Sequence, residues 1–259
     1  MPATEILSAH PSITVLVPSA RLDRYRQLAG SSDGAVEAFY LWGQRVSLAF
    51  FTDIAALEVA MRSAMAAELS KVYGPEWYRR FELFDDDALR AISTAWSSGG
   101  LSALVRQGAP ADVLEGKLIA SLTFGFWVQL LGRGSYTGRA PFRERRIYDT
   151  ILWRAALVKA FPNAPLHPAT FPNAPSRSAT EQLAMVVRAA RNRIAHHEHV
   201  VWGIPLPGQG ARLSVSDAHQ QILELAGYVG ADTRTWIEGH SDLEEAIDAC
   251  PVDHTRLNL

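Results

Sequence analysis

A single cysteine, Cys250, rules out an intrachain disulfide framework and any zinc site built on cysteines. A reducing compartment follows as the simplest expectation. Lysine is almost as scarce: Lys71, Lys117 and Lys159 are the only three, so arginine carries the positive charge. The net charge of -2 excludes a surface that coats nucleic acid indiscriminately. It leaves room for a local basic site, because steering follows the distribution of charge and not its total. Residues 1–18 lack the basic start and long apolar core of a signal peptide. The longest uncharged apolar stretch, residues 118–131, is shorter than the ~20 residues a membrane span needs. The expectation is a soluble cytoplasmic protein with no membrane partner. A hydrophobic content of 48% supplies a real core, and the low share of charge argues against disorder.

Helical periodicity dominates what is present, and the fold class expected is all-α. Residues 1–18, with prolines at 2, 11 and 18, read as an N-terminal loop, and residues 19–29 as a short helix. Asp33 is placed to cap a long proline-free helix reaching Tyr73, with Gly43 and Thr52-Asp53 as points where it could kink. Gly74-Pro75 stops it. After an aromatic segment at 76–84, a helix is expected over 85–97, with its acidic start on the favourable end of the macrodipole. Asp112 is expected to cap a continuous helix over 113–131, and residues 143–160 to form another. The duplicated Phe-Pro-Asn-Ala-Pro at 161–165 and 171–175 reads as a slipped insertion in an exposed loop. Ser178-Ala-Thr-Glu181 matches a capping box that opens a helix to about His197. A Gly/Pro-rich excursion follows near 200–212, with helices expected over 216–229 and 241–249.

The chemistry concentrates in Arg191-Asn192-Arg193-Ile194-Ala195-His196-His197-Glu198. Arginine brings a fixed charge and a planar fork suited to phosphate. Histidine moves protons near neutral pH. Together they point to phosphodiester cleavage without a metal. Wound at about 100° per residue, the helix puts Leu183, Val186, Val187, Ala190 and Ile194 on one apolar arc. Arg188, Asn192 and His196 then share the opposite side, Arg191 sits at the border, and His197 returns toward the apolar arc. A His-His pair at a helix C-terminus also serves simply to complement the dipole. Against that, Asn192 is a mediocre helix former held mid-helix. Arg188, Arg191 and Arg193 repel one another unless an anion is bound.

The 191–198 run resembles the signature of the Abi-like (abortive infection) proteins of the HEPN superfamily, an arginine, a polar residue and a histidine after four to six positions. Phe39-Tyr-Leu-Trp-Gly43 is similar to the family's aromatic segment, with Gly43 standing where asparagine is usual. Leu57-Glu-Val-Ala-Met-Arg62, Tyr73-Gly-Pro-Glu-Trp77 and Leu122-Thr-Phe-Gly-Phe-Trp127 resemble further family segments, in the same order. The resemblance spans residues 19–230 and leaves 231–259 as a C-terminal helical extension. It implies a HEPN-type helical bundle, a metal-independent endoribonuclease, and a homodimer in which two motif copies line one cleft. It also implies a role in anti-phage defence or as a toxin, with an antitoxin or noncoding RNA as a further partner. Arg191, Asn192, His196 and His197 are then the catalytic candidates. On an ideal helix Arg191 and His196 stand about 140° apart, which a partner copy would remedy.

Among the remaining candidates, Arg188, Arg193, Arg143 and Arg146 are placed to bind an RNA backbone, although a solvated basic face is an equal reading of the last two. Glu58 is spaced for an ion pair with Arg62 and could alternatively orient a histidine. Trp42, Trp77, Trp96, Trp127 and Trp153 read as core. His196, His197 and His199 do not form a metal motif, since adjacent imidazoles diverge on a helix; neither a metal nor a cofactor is expected. Two rivals to the nuclease remain: a non-catalytic RNA-binding or regulatory module, and a purely structural helical protein.

Overall fold

The computed structural model describes residues 11–30, 32–167, 171–206, 208, 210–253, 257 and 259. Helices α1 (Ile13–Leu16) and α2 (Ser19–Ala29) lead into α3 (Asp33–Tyr73), 41 residues long. Short 3₁₀ turns at Trp77–Arg79 and Phe81–Leu83 precede α4 (Asp86–Ser98), α5 (Leu101–Arg106), α6 (Ala111–Ser121) and α7 (Phe124–Leu130). The hairpin of β1 (Tyr136–Thr137) and β2 (Glu144–Arg145) comes next, then a π-helix at Asp149–Arg154 and a 3₁₀ turn at Leu157–Ala160. A second hairpin, β3 (Leu166–His167) with β4 (Phe171–Pro175), leads to α8 (Arg177–Ala195). The chain then turns through Val200–Trp202 into β5 (Ile204–Pro205) and β6 (Arg212–Leu213), and ends in α9 (Val215–Val229), α10 (Ala231–His240) and α11 (Leu243–Asp248). The fold is all-α, as the periodicity predicts. No helix is long and apolar enough to cross a membrane, among the described residues.

Helix α3 is the spine. Phe39, Val46, Phe50, Ile54, Leu57, Met61, Met65 and Leu69 recur every three, four or seven residues along it, and all are buried. Helices α2, α8, α9, α10 and α11 all pack on it. Neither Gly43 nor Thr52-Asp53 divides it. Asp53, buried, is instead claimed from outside: its Oδ2 accepts from Ser241 Oγ at 2.6 Å and lies 3.0 Å from His219 Nε2. Trp42 Nε1 donates to the Ala246 carbonyl at 2.7 Å. In α10 and α11, Ile237 and Leu243 are core residues of the same bundle.

Several boundaries differ from expectation for visible reasons. Ile13–Leu16 is a helical turn inside the span read as a loop, with Ser12 as its cap; residues 1–10 of that span lie outside the described residues. Ser32, not Asp33, occupies the cap of α3. The single helix expected over 113–131 breaks at Leu122 and Thr123, which are extended. Helix α6 buries only one edge (Leu114, Leu118), whereas α7 buries Phe124, Phe126, Trp127, Val128 and Leu130, so the two cannot share an axis. Pro110 precedes α6, and Asp112 sits within its first turn instead of capping it. The helix expected over 143–160 is replaced by β2, the π-turn and the 3₁₀ turn. There the Tyr73 hydroxyl donates to the Ile151 carbonyl and draws it out of a regular ladder. Ser176 caps α8 by accepting from Ala179 N at 3.3 Å, and Glu181 pairs with Arg177 at 2.7 Å, so the capping box at 178–181 does not form. The first copy of the duplication is no exposed loop: Phe161 and Ala164 are buried, and Asn163 Nδ2 donates to the Gly227 carbonyl at 3.0 Å. Trp42, Trp77, Trp127 and Trp153 are core as expected, while Trp96 is half-buried and donates to Ser102 Oγ at 2.9 Å.

Asp85 fastens α4 to the rest. Its Oδ1 accepts from Ala88 N and from Gln129 Nε2, each at 3.0 Å, and its own N–H donates to the Tyr148 hydroxyl at 3.1 Å. Replacing Asp85 with Ala removes a helix cap and orphans the Gln129 amide. The expected loss is about 2–4 kcal/mol in urea unfolding, most of it recovered by Asn. An unchanged midpoint for Asp85→Ala would contradict this role.

Candidate functional site at the end of helix α8

Helix α8 ends in a Schellman turn with a histidine in the position that usually belongs to glycine. His196 is the C-cap, and the next residue, His197, has φ +57°, the one left-handed non-glycine among the described residues. His197 N donates to the Ile194 carbonyl at 2.8 Å, and Glu198 N to the Arg193 carbonyl at 2.9 Å, the two bonds that define the motif. The hydrophobic contact that often accompanies such a turn is replaced by an ion pair, Arg193 Nη1 to Glu198 Oε2 at 2.8 Å. Arg193 Nε also donates to the His199 carbonyl at 3.2 Å. The side chain that sequence offered as an RNA ligand is thus spent on closing the turn, and burial lowers its pKa.

His199 seats the turn on α3. It is 6% exposed, with Nδ1 against the Tyr25 hydroxyl and its ring 4.7 Å from that of Tyr40. A methyl at Gly43 would lie 2.6 Å from Nδ1, so only glycine leaves room for the imidazole at this crossing. Just beyond, Val200 N donates to Ser47 Oγ at 3.2 Å, and Ser47 itself donates to the Gly43 carbonyl at 2.8 Å. Burial and the positive charges of Arg21 and Arg193 hold the His199 imidazole down to about 4. Burial pushes the Tyr25 hydroxyl well above its usual value. Near neutral pH the tyrosine therefore keeps its proton and the imidazole is uncharged, and the tautomer of the ring sets which of the two donates. Sequence reasoning weighed His199 only as a metal ligand. The signal for its real place was Gly43, at the position where the resembling family has asparagine.

Asn192, His196 and His197 are exposed, while Arg188 and Arg191 are half-buried. His197, expected to turn toward the apolar arc, is carried outward by its left-handed backbone. It lines a cleft of about 230 Å³ with Gln44, Ser47, Leu48, Ile194, Glu198 and His199. The apolar arc is otherwise as predicted: Val186, Val187 and Ala190 are buried, with Leu183 and Ile194 half-buried. Arg191 Nε is buried with no hydrogen-bond partner, a donor left over within the motif. No hydrogen bond joins Arg191 to His196 among the described residues. Glu58 sits 4.0 Å from Arg62, and no hydrogen bond or ion pair joins it to a histidine among the described residues. Arg143 stacks 3.8 Å over Tyr136, and Arg146 pairs with Glu144 at 3.0 Å. Both belong to the β1–β2 hairpin, which Asp86 ties to α4, and no polar or ring contact links them to the 191–198 turn among the described residues.

Elsewhere His219 and Ser241 both approach the Asp53 carboxylate, and only Ser241 is hydrogen-bonded to it. His219 Nε2, at 3.0 Å, is out of line for a hydrogen bond, and Ser241 does not touch it. That trio is a clasp between α3 and the C-terminal helices, not a nucleophile relay. No group of three His, Cys, Asp or Glu residues is arranged to hold a metal ion among the described residues. In comparisons with known proteins the chain matches no family model, no curated protein and no solved structure. Its own residues carry the functional reading.

Two outcomes test the seat. Gly43→Ala drives a methyl into the His199 ring, with an expected loss of about 1–3 kcal/mol and a lower melting temperature; an unchanged melting curve would contradict the contact. The unfolded chain takes up the His199 proton near pH 6.5, the folded chain only near 4. The unfolded state thus binds more protons in that window, and stability present above pH 6.5 drains away as pH falls toward 4. The advantage of wild type over His199→Asn in urea unfolding should narrow by on the order of 3 kcal/mol across that interval. A gap independent of pH would be the contrary result.

Proposed function

We propose that the protein is a metal-independent endoribonuclease of the HEPN type, with the 191–197 segment as its active centre. The observation that carries this is the backbone of His197. A left-handed C′ position is served best by glycine, and a β-carbon there costs roughly 1 kcal/mol. A histidine retained in that conformation, facing a cleft and next to a second exposed histidine, favours a role for its side chain. The half-buried Arg191 guanidinium adds a fixed positive charge to the same segment, which suits an anionic ligand.

In the proposed reaction one imidazole, assigned to His196, takes the proton from a ribose 2′-hydroxyl. The 2′-oxygen attacks the adjacent phosphorus and the P–O5′ bond breaks. A second imidazole, His197 or that of a partner copy, gives a proton to the departing 5′-oxygen. Arg191 neutralises charge gathering on the non-bridging oxygens, and Asn192 orients His196 or holds a phosphate. The products are a 2′,3′-cyclic phosphate and a 5′-hydroxyl, and DNA is spared. The separation of Arg191 from His196 favours a homodimer whose two motif copies complete one another. By its resemblance the biological setting is anti-phage abortive infection or toxin action in the cytoplasm, held in check by an antitoxin or a noncoding RNA.

His196→Ala should abolish RNA cleavage with the helical circular dichroism intact. His197→Gly relieves the left-handed residue, so it should melt at the same temperature or higher while cleaving at least ~100-fold more slowly. Full cleavage by both variants would overturn the assignment. A wild-type protein that binds RNA but never cuts it would favour the non-catalytic module instead.

A further inference from the structure

The strongest unclaimed feature is an arginine cluster around the seat of His199. Arg21 and Arg24 lie on α2, four residues and one residue before Tyr25, and Arg212 lies on β6; all three are exposed. Two segments far apart in sequence meet here at the Val200–Trp202 turn. Arg24 Cζ lies over the Trp202 ring, 4.2 Å from its centroid, and Trp202 packs edge-on against Tyr25 at 5.0 Å. Arg212 Nη1 donates to the Gly203 carbonyl at 3.1 Å, one residue beyond that ring. Arg21, one turn of α2 before Tyr25, lies close enough for its charge to act on both Tyr25 and His199.

The cluster lacks counter-charge. Some exposed arginines elsewhere are matched within a turn of helix, as Arg90 with Asp87 and Arg234 with Glu238, whereas others, such as Arg106 and Arg139, have no ion pair among the described residues. None of Arg21, Arg24 and Arg212 has a carboxylate within ion-pair distance among the described residues. The nearby carboxylate, Glu198, is already held by Arg193. The positive charges act on one another: Arg24 and Arg212 both press on Arg193, and Arg21 helps keep His199 uncharged. Such an arrangement is self-repelling, and an anion laid across it would relieve that repulsion. The donors are also the right kind. A guanidinium stacked on an indole keeps its in-plane N–H groups free for phosphate, and Arg212 commits only one nitrogen to Gly203.

We propose that Arg21, Arg24 and Arg212 form a phosphate-gripping strip that holds the RNA backbone beside the 196–199 turn. This rests on the nuclease reading and deepens it, because it names where substrate enters. The strip is carried by the same contacts that fix the turn: Arg24 rests on Trp202, which packs on Tyr25, which holds His199. A strand gripped there is indexed to the histidines by rigid, buried groups. The grip is to backbone phosphate and carries no sequence preference.

A short 2′-O-methyl RNA lacks the attacking hydroxyl, so it reports binding independently of cleavage. Arg21→Gln/Arg24→Gln should bind it at least ~10-fold more weakly at low salt, with the slope of log affinity against log salt shallower by about 1.4, two phosphates' worth for a single strand. Arg24→Lys, which keeps the charge, should retain most of the salt slope, and Arg234→Gln, on the far helix α10, should match wild type. Equal affinity and slope in the double variant, with melting temperature unchanged, would overturn the strip and leave the nuclease reading standing. No binding by the wild type at all would overturn both.

Discussion

One side chain placed against one missing side chain organises this molecule's chemistry. The His199 imidazole enters α3 at Gly43, where no β-carbon could coexist with it, and meets the Tyr25 hydroxyl inside. That contact ties α2, α3 and the segment after α8 at a single point. Because the backbone of residue 199 is pinned, the chain has only three residues in which to leave α8 and reverse. A Schellman turn does so, with His196 and His197 as the residues that must project. The long core of α3 supplies most of the burial. The notch in it decides where the polar groups face.

The electrostatics follow from the same constraint. A buried imidazole surrounded by arginines gives up its charge, and a buried phenol keeps its proton, so the seat is a neutral pair within a positive rim. Arg193 is drawn in to close the turn with Glu198 and ceases to be available as a ligand. Arg21, Arg24 and Arg212 remain exposed around the turn, with no carboxylate within ion-pair distance among the described residues. A weakly acidic chain can therefore present one concentrated basic region, since the distribution of charge and not its sum sets the local field.

Much of this was visible in the residues, and the failures have physical causes. The periodicity of α3 is unambiguous because one face is buried along its whole length, and α2, α4 and α9 sit where their patterns put them. The breaks at Leu122 and within 143–160 were hidden because propensity and hydrophobicity continue through them. A sequence window does not show that α7 is buried on all sides, or that Tyr73 captures the Ile151 carbonyl. The candidate segment at 191–198 was legible as chemistry, but not its geometry. Winding an ideal helix through His197 turned that residue inward, whereas the left-handed backbone turns it out. Arg21, Arg24 and Arg212 could not have been grouped, since long-range packing alone unites α2 with a hairpin nearly two hundred residues away.

The protonation state of His199 tests the seat most directly, by nitrogen-15 correlation spectroscopy of the imidazoles near neutral pH. The signal should be that of a neutral ring, with its proton on Nε2 where Tyr25 is the donor, and it should move when Tyr25 is replaced by Phe. A ring fully charged under the same conditions, or a signal unmoved by that replacement, would contradict the arrangement on which the turn, the exposed histidines and the arginine rim depend.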